Sequence, residues 1–112
     1  MTAPIAKTIK AEFDGRVFMG VAPFKTPVPY LVFQGTGSAP ENTLDCGAID
    51  ENDSYQFVIW HNDAKEAESL RLKARKLLEN AGFYYNGKHP DTIDPETKLH
   101  GRGWDMNWWS ET

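Results

Sequence analysis

The octapeptide Ser54–His61 (SYQFVIWH) constrains the fold more than any other stretch of this chain. Successive side chains of a β-strand point to opposite faces. Tyr55, Phe57 and Ile59 therefore share one face, and Val58 and Trp60 share the other. A run that is apolar on both sides is read as an inner strand, and an inner strand requires a sheet with neighbours on both edges. Three further segments supply them. Tyr30–Gln34 (YLVFQ) is strongly strand-like, and Arg16–Gly20 (RVFMG) is a brief β-prone run. In the C-terminal LHGRGWDMNWWSE, Trp104, Met106 and Trp108 alternate with Asp105, Asn107 and Trp109, as a strand requires.

Two segments read as helices. Thr2 can cap a short one over residues 3–13, with Pro4 in its first turn, Ile5, Ile9 and Phe13 on one face, and Gly15 as the stop. The clearer one starts at Asp63 as N-cap with Glu66 three residues on. Its stripe runs through Ala67, Leu70, Ala74, Leu77, Leu78 and Ala81 and closes at Gly82. Its outer face alternates charge, Glu68 near Arg71 and Arg75 near Glu79. Residues 22–29 contain Pro23, Pro27 and Pro29 and form a connector, because proline cannot donate to a central ladder. Residues 35–53 read as one long polar loop, and Asn86–Lys98 as another. The expected fold is α+β, a mostly antiparallel sheet of about four strands with two helices on one face. The other face is left free to meet a partner.

The 112 residues fit a single domain spanning 1–112. Twelve basic against sixteen acidic residues give a net charge of -4, the reverse of what a phosphate-binding surface needs. No signal-peptide-length apolar run opens the chain and no segment is apolar enough to span a bilayer, so neither secretion by a standard signal nor membrane insertion is expected. One cysteine, Cys46, excludes an internal disulfide and any zinc site built on two thiolates. The 12% aromatic content suits a small core or a protein interface.

The polar residues offer few candidates for chemistry. Cys46 with His61, His89 or His100 has the ingredients of a nucleophile and base, but no nucleophile elbow, phosphate loop or zinc-helix motif accompanies them. His89, Asp91, Asp94 and Glu96 offer ligand atoms without calcium-loop spacing, and read as a solvated loop. His61 and Asp63 read as a helix-capping turn, and Asp50, Glu51 and Asp53 as a solvated acidic loop. The expectation is no catalytic residue, no metal and no cofactor. An ordered loop as long as 35–53 must offset its closure entropy, and Leu44 and Ile49 are too few to do so alone. Pro40, Glu41, Thr43, Leu44 and Asp45 are therefore placed at an interface. So is Trp109, because Trp108 and Trp109 point to opposite faces and only one can enter the core.

Taken together, PVPYLVFQGTGSAPENTLD, the aromatic strand, the Ala/Leu/Arg helix ending in AGF and the C-terminal strand resemble the tail completion family of long-tailed bacteriophages, also called tail terminators or head-to-tail joining proteins. The resemblance spans roughly residues 3–110. It is sharpest at Pro29–Gln34, at Pro40–Asp45 and from Tyr55 to Leu78. It departs from the family at Cys46, where a glycine is expected. The resemblance implies a homo-oligomer, usually a hexameric ring, that caps the tail tube protein, stops polymerisation and offers its other face to the head completion or connector protein. Genomic DNA would be met only in passage. The implied location is the virion neck at the top of the tail, after assembly in the host cytoplasm. The alternatives are another neck or head-closure component, or a small host-directed enzyme or inhibitor.

Overall fold

The computed structural model describes residues 4–38 and 50–111, with side chains described for residues 4–35 and 53–108. Helix α1 (Ile5–Ile9) continues as a 3₁₀ turn over Lys10–Phe13. The strands are β1 (Val17–Met19), β2 (Tyr30–Ser38) and β3 (Asp50–His61), then β4 (Tyr84–Lys88), β5 (Thr92–Ile93) and β6 (His100–Glu111). Helix α2 (Ala64–Asn80) joins β3 to β4. The fold is α+β, and the inner-strand reading of Ser54–His61 holds: the sheet order is β1-β2-β3-β6-β4, with β5 on β6.

The sheet corrects the expectation of about four antiparallel strands. It has six, and β1 runs parallel to β2, Val17 opposite Leu31 and Met19 opposite Phe33. The proline-rich connector carries the chain back past β1 before it enters β2 in the same direction. β5 and the second half of β4 fall inside what reads as the Asn86–Lys98 loop; both strands are short and polar, and a bulge lies between Tyr85 and Gly87, so neither shows a two-residue apolar period. The expected loop 35–53 is also narrower. Gly35–Ser38 and Asp50–Asp53 belong to the ladder, because β3 is paired with β6 along all twelve residues, from Asp50 opposite Glu111 to His61 opposite His100. Ladder pairing outweighs the weak strand propensity of Asp-Glu-Asn-Asp.

At the first helix, Ile5, Ile9 and Phe13 are buried as their spacing requires, although the last turn tightens to 3₁₀. Pro4 occupies the N-cap without a side-chain cap, and Thr2 lies outside the described residues. Asp14 and Gly15 end the segment in the left-handed region (φ 49° and 82°), and the Gly15 N–H donates to the Lys10 carbonyl at 2.9 Å. In α2, the Asp63 carboxylate accepts from the Lys65 and Glu66 N–H groups at 2.9 and 3.1 Å.

Both helices lie on one sheet face. Ile5, Ile9 and Phe13 meet Leu31, Phe33, Phe57, Ile59, Ala74, Leu78, Phe83, Trp104 and Met106 in one cluster. Trp104 stacks on Phe57, with centroids 5.2 Å apart and planes 17° from parallel. One correction concerns Arg71. The charge alternation puts it on the solvated face, yet it is buried (6% exposed) beside Glu68.

The strands outrun the helix layer. Seventeen helical residues reach about 26 Å, whereas twelve strand residues reach about 40 Å. The chain is correspondingly long, 49 × 26 × 23 Å. The excess is a short arm at the Asp50 end of β3 and the Glu111 end of β6, beyond Trp108, where α2 ends.

Candidate interaction surface

The face of the sheet opposite the helices is bare and partly apolar. Register puts Tyr30, Val32 and Gln34 of β2 beside Trp60, Val58 and Gln56 of β3. Gly20, Val21 and Ala22 rise along one side, and the groove they enclose has a volume of about 330 Å³. Phe18 meets Tyr30 edge-on at 6.4 Å and extends the aromatic floor. Around the groove the apolar side chains are unusually bare: Val21 is 78% exposed and Phe24 92%. Contiguous exposed apolar surface of this kind marks an interaction site more often than an idle one.

β6 contributes glycines where the other strands contribute side chains. A Cβ at Gly101 would come within 2.8 Å of the Trp60 ring and 2.6 Å of the Thr92 hydroxyl. One at Gly103 would come within 2.9 Å of the His89 ring. The two glycines thus form a trough in which Trp60 and His89 lie. The His89 Nε2 meets the Asp105 carboxylate at 2.8 Å. Tyr30 is pushed above its ordinary pKa by burial and then by the negative charge of Asp94, so its hydroxyl stays protonated. The floor is therefore neutral, made of aromatic rings, valines and two amides, with one carboxylate, Asp94, at its edge. That composition suits contact with a polypeptide.

The residues weighed for chemistry are dispersed. His61 receives the Asn62 N–H on Nδ1 at 2.8 Å and meets Glu66 through Nε2 at 2.8 Å. A second hollow of about 280 Å³ brings Ser69 near this pair. Sequence reading does not single out Ser69, and both imidazole nitrogens are already engaged, so neither is free to activate its hydroxyl. Asp91 pairs with Lys88 at 3.3 Å and Arg102 at 3.5 Å, while Asp94 caps the following turn through the Glu96 N–H at 2.9 Å. Among the described residues no three His, Cys, Asp or Glu side chains gather as a metal site would require. No helix among them is long and apolar enough to cross a membrane.

Glu68 anchors an ion network that joins α2 to the sheet. Arg71 Nε donates to it at 3.0 Å, and Arg102 and Lys88 approach at 3.6 and 4.0 Å. The Arg71 hydrogen bond holds the Glu68 carboxyl below its ordinary range, and Glu68 in turn raises Arg71. Beside it, the Arg75 guanidinium lies 3.5 Å from the Tyr85 ring centroid.

Of the expected interface residues, Pro40, Glu41, Thr43, Leu44 and Asp45 lie outside the described residues, as does Cys46. Trp109 is in β6 opposite Asn52, on the arm. Asp50, Glu51 and Asp53 are not in a loop; they lie among the first paired residues of the β3 ladder. The bare face was signalled by Val58 and Trp60, but its glycine trough was not, since Gly-x-Gly within a strand pattern has several readings. No family model and no curated protein matches the chain.

Proposed function

We propose that this chain is a completion protein of a long-tailed bacteriophage tail: a ring subunit, six to a ring, that caps the tail tube, ends its polymerisation and joins it to the head connector. The observation that carries this reading is the ordered run of segments from Pro29 to Leu78 and on through the C-terminal strand, which resembles that family along most of the chain. The described architecture supports it. A ring subunit needs two different complementary surfaces, and this one offers a bare apolar sheet face and an arm that extends beyond its helices. Beyond Phe33, the outer edge of β2 pairs with no described strand, and the same holds for β6 beyond Asn107. Such edges accept a neighbour's strand.

In this reading the work is done by contact and not by catalysis; His61 and His89 pair with the Glu66 and Asp105 carboxylates within the chain. The genome passes through the channel without being held, since an acidic chain repels phosphate. The experiment is to assemble tails without the protein. Tails that overgrow or fail to join heads, together with labelled protein at the head-proximal end of completed particles, support the reading. Tails of normal length that join heads efficiently refute it.

A further inference from the structure

The groove on the bare sheet face has a one-sided charge. Ten residues line it, and Asp94 is the one among them that is charged; none is Lys, Arg or His. Asp91, three residues earlier, pairs with Lys88 and Arg102, but Asp94 pairs with no described cation. Its Oδ1 accepts the Glu96 and Thr97 N–H groups at 2.9 and 3.4 Å, and its Oδ2 accepts from no described residue. The carboxylate is thus held by its own turn, with one oxygen left to receive a donor.

Two aromatic rings share the groove with it. Register sets Tyr30 directly opposite Trp60, so their side chains are nearest neighbours on this face. Each ring is backed by protein. Phe18 meets Tyr30 edge-on, and Trp60 rests over Gly101, where a Cβ would come within 2.8 Å of the indole. Asp94 lies close enough to Tyr30 for its charge, after burial, to raise the phenol pKa. Beyond Val32 and Val58, the Gln34 amide N–H donates to the Gln56 carbonyl at 3.5 Å, which leaves the Gln34 carbonyl as a further acceptor.

We propose that this groove takes an arginine side chain presented by a partner polypeptide, its guanidinium stacked against the Trp60–Tyr30 pair and donating to the Asp94 carboxylate and the Gln34 carbonyl. Charge complementarity selects the occupant. A guanidinium is planar, always charged and carries several donors in a fixed fork, so it uses a ring face and separate oxygen acceptors at once. An ammonium lacks the flat face, a quaternary ammonium lacks the donors, and an anion would meet an uncompensated carboxylate. Val21 and Phe24, bare beside the groove, are placed for a partner's backbone to cover. Apolar contacts that exclude water around a central arginine are the arrangement of an interface hot spot. The inference concerns the chemistry of the groove and does not rest on the tail reading.

The probe is the blocked peptide acetyl-Gly-Ser-Arg-Ser-Gly-amide, titrated into the full chain by NMR at about 0.05 M and about 0.5 M salt. The Trp60 indole and the Gln34 and Gln56 amide resonances are followed. The same peptide with citrulline in place of arginine is the neutral isostere, and it should bind about tenfold more weakly. Asp94→Asn keeps the turn, since an asparagine carbonyl accepts the same N–H groups. It should lose about threefold in affinity, together with most of the salt dependence. Trp60→Leu stays apolar without a π face and should lose about tenfold, with circular dichroism to verify its fold. No saturable shift at these resonances, equal binding of the arginine and citrulline peptides, or affinity unchanged by Asp94→Asn would each overturn the proposal. So would tighter binding of free L-arginine or tetramethylammonium than of the peptide, which would make the groove a small-molecule site. Tails that overgrow without the protein while the peptide fails to bind would remove this inference and leave tail capping intact. Arginine-selective binding by a chain that never caps tails would do the opposite.

Discussion

Replacing Gly101 by alanine tests whether the trough on the bare face is a real packing constraint. Gly101 lies within β6 and needs no left-handed backbone, so the substitution introduces a methyl group and little else. That methyl would stand 2.6 Å from the Thr92 Oγ1 and 2.8 and 2.9 Å from two carbons of the Trp60 ring, well inside van der Waals contact. Threonine can rotate away. The indole is rigid and must swing out of the groove, exposing apolar surface that it now covers. Overpacking of this kind costs about 1–3 kcal/mol. For a 112-residue chain the unfolding entropy is about 0.24 kcal/mol/K, so the melting temperature should fall by about 4–13 °C. Gly35→Ala is the matched control, because its Cβ would meet nothing closer than 3.9 Å. It should be neutral or slightly stabilising, by at most about 1 kcal/mol, since alanine restricts the unfolded chain. Thermal melts of both variants by circular dichroism decide the matter. If Gly101→Ala melts at or above Gly35→Ala, Trp60 does not rest on that glycine and the description of the trough is wrong.

Glu68→Ala leaves the buried Arg71 without its carboxylate and should cost about 1–3 kcal/mol in denaturant unfolding, discounted for the partial exposure of Glu68. Because Arg71 depresses the Glu68 pKa, this contribution is fully present above the ordinary glutamate value of 4.5 and is lost as pH falls through the lower folded value. The stability gap between wild type and variant should therefore close on acidification, and a gap independent of pH would count against the ion network. Val58→Lys charges the neutral floor of the groove. It should change stability by less than about 1 kcal/mol while reducing incorporation into particles, and normal incorporation would show that the bare face meets no partner. Leu44→Ala and Glu41→Lys should weaken assembly while barely moving the melting temperature of the isolated chain; equal losses in both would mean that the segment packs on its own domain.

Local chemistry made much of this protein legible in its sequence. Ser54–His61 could only be an inner strand, since a run apolar on both faces has no stable place at a wet edge. Asp63 marked the start of α2 because a carboxylate there satisfies N–H groups only two and three residues away. Ile5, Ile9 and Phe13 announced a buried face even though the helix changes type between them. Those signals act over a few residues, so a linear reading captures them. What lay beyond it depended on partners distant along the chain. Asp50–Asp53 became strand because β6, fifty residues later, completes their ladder. Arg71 is buried beside Glu68, which also meets Lys88 and Arg102, residues brought in by β4 and β6. Gly101 and Gly103 acquired meaning only when Trp60 and His89 were laid across them. The sequence alone determined which segments carry apolar faces and where α2 begins. Tertiary structure decided strand order and the parallel β1–β2 pair, because register is set by contacts that no local pattern encodes.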